Sequence, residues 1–135
     1  MSVAINDLKG MQPEISKQLK EMGISNNKQL LEASKSPEER KALAAKLGME
    51  TRPLLELANR ADLSRVKGVA GVYSDLLEQA GVDTVKELAI RRPDNLHAKM
   101  VEVNQVKNLT ARLPTQEMVE SWVHQAKELP KLLTY

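Results

Sequence analysis

Leu8-Lys9-Gly10-Met11-Gln12-Pro13 and, 58 residues further on, Val66-Lys67-Gly68-Val69-Ala70-Gly71 are two versions of one segment. Sliding the chain over itself by that offset sets Leu19 over Leu77, Gly23-Ile24 over Gly81-Val82 and Lys28-Gln29-Leu30 over Lys86-Glu87-Leu88. Seven of the 24 positions from Leu8 to Leu31 are identical in the two copies: Lys9, Gly10, Ser16, Leu19, Gly23, Lys28 and Leu30. An internal repeat decides the architecture before any local reading, because each copy must fold alike and pack against its neighbour. With about seven extra residues near Leu109 to Thr115, the later parts also correspond: Leu54-Leu55-Glu56 falls over Val119-Glu120-Ser121, and Ala61 over Ala126.

Inside each copy the punctuation is helical. Pro13 suits a first helical position, Ile15, Leu19 and Met22 follow at spacings of four and three, and Gly23 supplies a left-handed stop. Tyr73, Leu76, Leu77 and Ala80 lead to Gly81 in the same way. A short helix then opens behind Asn26 with Gln29, and behind Thr84 with Glu87, a polar cap with an acceptor three residues later. Ser36-Pro37-Glu38-Glu39 starts a further helix carrying Leu43 and Leu47 and closed by Gly48; its counterpart follows Pro93 with Leu96, Met100 and Val103. The last helix of each copy presents Leu54, Leu57, Ala58 and Ala61, or Met118, Val119, Trp122, Val123 and Ala126. No window alternates in the manner of a strand.

Composition agrees. Among 135 residues, 41% are hydrophobic, enough for a real core, but only 2% are aromatic, so the core must be built from Leu, Ile, Val, Met and Ala, which favour helices. The absence of Cys removes disulfides, thiolate metal sites and cysteine nucleophiles together, and suits a reducing compartment. No stretch approaches the ~18 apolar residues of a membrane span, and Met1 to Gly10 has no leader pattern, so the expectation is a cytoplasmic protein without membrane partners. A net charge of +2 is too small to announce a polyanion ligand, so any basic site must be local.

The order hydrophobic-x-Gly-hydrophobic, helix, Gly-Ile or Gly-Val stop, short capped helix resembles the helix-hairpin-helix motif, over Leu8 to Leu31 and again over Val66 to Ala89. The whole chain is similar to a family of small bacterial tandem helix-hairpin-helix proteins classified as a domain of unknown function. That resemblance implies an all-α protein of two tandem helix-hairpin-helix (SAM-like) repeats, residues 1–63 and 64–135, packed as one compact domain with about four helices each. In DNA-binding bearers of the motif, hairpin backbone amides and the following helix start hold a phosphate. The chemistry is sound, since glycines admit close approach of an anion and a helix start carries unpaired donors.

Carried across residue by residue, the hairpins are Gly10-Met11-Gln12 and Gly68-Val69-Ala70. Both depart from the motif at the second glycine, where Gln12 and Ala70 stand, and two residues later, where Glu14 and Val72 replace a basic side chain. Charge separates the copies. From residue 9 to 28, four lysines (Lys9, Lys17, Lys20, Lys28) oppose Glu14 and Glu21, a local +2. From 67 to 86, Lys67 and Lys86 oppose Asp75, Glu78 and Asp83, a local −1.

The expected nucleic-acid contacts are therefore Lys9, Gly10, Met11, Gln12, Lys17 and Lys20 in the first copy and Lys67, Gly68, Val69 and Ala70 in the second. Arg60, Arg65, Arg91 and Arg92 extend a basic surface if they share a face; otherwise they are helix-end cations. His97 and His124 stand on different helices without metal-ligand spacing, and no Gly-x-Ser-x-Gly is present; Ser16 and Ser74 read as close helix contacts, Tyr73 and Trp122 as packing. The expectation is a non-catalytic accessory, without cofactor, metal or small-molecule substrate, that binds duplex nucleic acid weakly and without sequence preference. The alternative is a protein-interaction module with no nucleic-acid ligand.

Overall fold

The computed structural model describes residues 2–69 and 71–135 and is all-helical among them. A 3-10 turn at Ile5–Asp7 precedes α1 (Pro13–Glu21), α2 (Asn27–Ala33), α3 (Pro37–Leu47) and α4 (Thr51–Leu63). The second half holds α5 (Val72–Gln79), α6 (Val85–Ala89), α7 (Pro93–Lys107) and α8 (Gln116–Glu128).

Local chemistry sets the boundaries. Pro13, Pro37 and Pro93 open α1, α3 and α7, where a missing N–H leaves no bond unmade. α1 ends with Gly23 at φ +82, donating to the Lys20 carbonyl while Ile24 donates to Leu19; α5 ends with Gly81 at φ +94, donating to Glu78 while Val82 donates to Leu77. These are two Schellman closures, and the left-handed position in each is one that a side chain strains. Asn26 Oδ1 accepts from the Gln29 amide at 2.9 Å, and Thr84 Oγ1 from Glu87 at 3.1 Å, so both short helices carry their expected caps. Asn26→Ala should lower the unfolding free energy by about 1 kcal/mol, read from urea denaturation followed by circular dichroism.

Two hydrophobic cores divide the chain near residue 62. Ile5, Leu8, Leu19, Ile24, Leu30, Leu31, Leu43, Leu47, Leu54 and Leu57 centre the first. Leu63, Val66, Val69, Leu76, Leu77, Leu88, Leu96, Met100, Trp122 and Val123 centre the second. The main helix packing stays within each half: α2 and α3 lie on α4, while α6 and α7 lie on α8 and α5 lies on α7. Met22, read as part of the α1 stripe, is instead exposed, because it occupies the C-cap where the chain leaves the helix; Ser16 takes a buried place on that helix and donates to Asn6 Oδ1.

The halves are joined by polar groups and by the tail. Asn27, wholly buried, accepts from the Val3 amide at 2.9 Å and donates through Nδ2 to Ser64 Oγ at 2.8 Å. Arg60 is 8% exposed and reaches from α4 to Ser74 Oγ at 3.0 Å, Asp75 at 3.1 Å and Glu78 on α5. Asp62, 3% exposed, accepts from Arg65 at 2.8 Å and from the Val85 amide of α6 at 2.8 Å. Residues 130–135 then run back over the first half: Arg65 donates to the Pro130 carbonyl, Leu133 fills the first core, and Thr134 donates to the Lys35 carbonyl at 2.8 Å.

The extra residues near Leu109 to Thr115 are tied down as well. Asn104 brackets Thr110 with two bonds of 3.0 Å, Tyr73 Oη donates to the Arg112 carbonyl at 2.9 Å, and His97 Nε2 lies 2.9 Å from the Pro114 carbonyl. Among the described residues, no helix is long and apolar enough to cross a membrane.

Candidate nucleic-acid interface

Both hairpin glycines adopt the conformation that their place in the sequence requires, Gly10 at φ +90 and Gly68 at φ +91. In the first hairpin, Leu8 is drawn into the core and Met11 donates to the Leu8 carbonyl at 3.1 Å, closing a tight turn around Lys9 and Gly10. The chain then enters α1 from Gln12, whose extended backbone gives no side-chain cap. Pro13 has no N–H to offer, so Gln12, Glu14 and Ile15 supply the open amides of this helix start.

Around that start lies a cavity of about 600 Å³ lined by Asn6, Met11, Gln12, Pro13, Ser16, Lys17, Lys20 and Glu21. Lys17 and Lys20 are three apart on α1, a spacing that puts both ammonium groups on one helix face. Both are exposed, and neither pairs with a carboxylate among the described residues. Lys9 and Gly10 line a neighbouring depression of about 410 Å³ that also contains Glu56, Arg60 and Glu78, and Gln12 borders both. Four of the six expected first-hairpin contacts therefore share one concavity, which also holds the Glu21 carboxylate, and the other two share a second that holds Glu56 and Glu78.

The second hairpin is differently employed. The Lys67 amide donates to Gln125 Oε1 of α8 at 2.9 Å, and Gln125 Nε2 returns a bond of 3.4 Å to the Lys67 carbonyl. Gly68 lies so near α8 that a Cβ there would stand 3.0 Å from Trp122 Nε1. Val69 is wholly buried in the second core. Ala70 lies outside the described residues. None of Lys67, Gly68 and Val69 lines the cavity beside α1.

The arginines do not share a basic face. Arg60 and Arg65 are internal, held by Asp75, Glu78 and Asp62; Arg91 donates to the Gly81 carbonyl at 3.0 Å, and Arg92 pairs at the surface with Asp94. Arg60, Arg65 and Arg91 join elements, which no local pattern in the sequence announces. Ser74, read as a close helix contact, is buried and held between the Gly71 carbonyl and Arg60. Tyr73 and Trp122 pack together at 5.6 Å on the second core, in keeping with their reading as packing residues. No three His, Asp or Glu side chains among the described residues converge as a metal site.

The family described as a domain of unknown function (DUF4332) matches residues 9–129. The chain belongs to the DUF4332 family. The match runs from Lys9 in the first hairpin to Leu129 beyond α8, so the DUF4332 region takes in both glycine turns and α1 through α8. It leaves outside it the 3-10 turn at Ile5–Asp7 and the returning tail that places Leu133 in the first core. No curated protein and no solved structure matches this DUF4332 chain.

Proposed function

We propose that the chain is a pair of helix-hairpin-helix units serving as a non-catalytic accessory that holds duplex nucleic acid weakly, through phosphates and without reading bases. The observation that carries this reading is the cavity beside α1, where Gln12, Lys17 and Lys20 meet next to a glycine turn and an uncapped helix start. Donors and mobile cations in one concavity suit a phosphate, and such contacts position a protein without sequence preference. Phosphate binding falls to the first hairpin. In the second, the Lys67 amide is already bonded to Gln125, and Asp75, Glu78 and Asp83 make the segment locally acidic. The second unit thus braces the first.

Fluorescence anisotropy of labelled duplex DNA, titrated at low and at physiological salt, tests the reading. Binding should appear at low salt and collapse as salt rises. Lys17→Glu combined with Lys20→Glu should weaken it at least about tenfold and flatten the salt slope by about 2, one unit for each phosphate no longer neutralised. Lys67→Glu should do little. No binding at low salt, or a larger loss from the Lys67 variant, would overturn the assignment. A protein-interaction module is the second reading, favoured by the slightly acidic second hairpin and by the exposed Ile90 and Val106. It predicts a duplex titration that stays flat at every salt concentration.

A further inference from the structure

Arg40 is 5% exposed, yet no carboxylate among the described residues lies within ion-pair distance of it. Its guanidinium donates to two neutral acceptors, the Ser34 carbonyl at 2.9 Å and the Thr134 carbonyl at 2.6 Å, and lies 5.6 Å from the Tyr135 ring centre. Both acceptors are neutral, so no side-chain carboxylate balances its charge, which is unfavourable away from water. The Tyr135 side chain supplies no negative charge. Partial burial, and then the carboxylates of Asp62 and Asp83, push its phenol up to about 12, so the ring is neutral at neutral pH.

Arg40 opens onto a cavity of about 690 Å³ lined also by Lys41, Thr51, Arg52, Leu55 and Tyr135. Three cations and no Asp or Glu side chain line it. Lys41 and Arg52 are exposed and take part in no ion pair among the described residues. Thr51 and Arg52 are also the first two residues of α4, where Glu50 gives no side-chain cap, so the opening donors of that turn are unclaimed by a capping side chain. Leu55 and the Tyr135 ring provide an apolar flank, and the volume is that of a small-molecule site.

We propose that this cavity binds a small phosphate ester, its phosphate between Arg52, Lys41 and Arg40 and its body against Leu55 and Tyr135. A phosphate dianion answers three cations lining one cavity better than a carboxylate does, and a guanidinium grips it through paired donors. The site stands apart from the cavity beside α1, with no lining residue in common, and does not depend on nucleic-acid binding there.

Calorimetric titration of the full chain with adenosine monophosphate, inorganic phosphate and adenosine tests it. The monophosphate should bind, inorganic phosphate should bind more weakly, and adenosine should not bind. Arg52→Glu with Lys41→Glu should weaken the monophosphate at least about tenfold, without moving the thermal melt, because both side chains are exposed. Should the double reversal unfold the chain, Arg52→Gln alone should still weaken the monophosphate. Lys17→Glu with Lys20→Glu should leave this binding unchanged. Absence of binding at millimolar monophosphate, or equal binding by the Arg52 and Lys41 variants, would sink the proposal. So would a loss of duplex affinity in those variants as large as that caused by changing Lys17 and Lys20, since the phosphates held would then be those of a nucleic-acid backbone.

Discussion

Asp62→Ala lowers the unfolding free energy by about 3–5 kcal/mol. Asp62 sits at the division between the two cores, and both of its oxygens are used: one takes the Arg65 guanidinium, the other the Val85 amide at the start of α6. Removing it leaves a cation with an 8% exposed side chain without its partner and strips a buried amide of its acceptor. Breaking a buried pair from one side has this magnitude because the surviving charge stays buried. The pair's own net worth is smaller. Asp62→Ala combined with Arg65→Met should therefore recover part of the loss, and Asp62→Asn, which keeps an acceptor for Val85, should cost less than Asp62→Ala. Urea denaturation of the four proteins measures the cycle. A double variant no more stable than Asp62→Ala would show that the buried guanidinium is not the source of the loss.

Gly68→Ala costs about 3 kcal/mol, from backbone strain and crowding together. Its φ of +91 is a region that side chains enter at a penalty of about 1–2 kcal/mol, and the added Cβ also meets the indole nitrogen of Trp122 at 3.0 Å. Gly10→Ala is the internal control. Its φ is +90, but its nearest neighbour, Leu57 Cδ2, stands 3.9 Å from the same Cβ, so only the backbone penalty of about 1–2 kcal/mol applies. Trp122 is the sole tryptophan, so its fluorescence reports directly on the crowded site. The Gly68 variant should shift the folded emission as well as the denaturation midpoint; the Gly10 variant should shift the midpoint alone. Equal losses at the two glycines would mean that the indole moves aside freely.

The contrast between these glycines shows where sequence reasoning stops. Their left-handed backbone is legible from a repeat that places Gly in the same context twice. That Gly68 is pressed by α8 while Gly10 is not depends on Trp122, 54 residues away in the chain. The same holds for the candidate site. Lys17 and Lys20 could be paired from their spacing on α1, and Gln12 from the hairpin, but the capture of the Lys67 amide by Gln125 is an interaction across 58 residues. Arg40 is harder still. It stands in α3 among charged residues, and nothing local distinguishes it from Lys41, which is exposed.

By itself the sequence determined the helices, several of their starts and stops, and most of the apolar faces, because prolines, caps and glycine closures act within four or five residues of one another. Tertiary structure alone decided which charges go inside. Arg60 finds Asp75 across 15 residues, Asp62 finds Val85 across 23, and Arg65 finds the Pro130 carbonyl across 65. A cation at a helix end is stable in water or against a distant acceptor, and its local sequence is the same in both cases. Only the packing of the two halves removes the water and selects the partner.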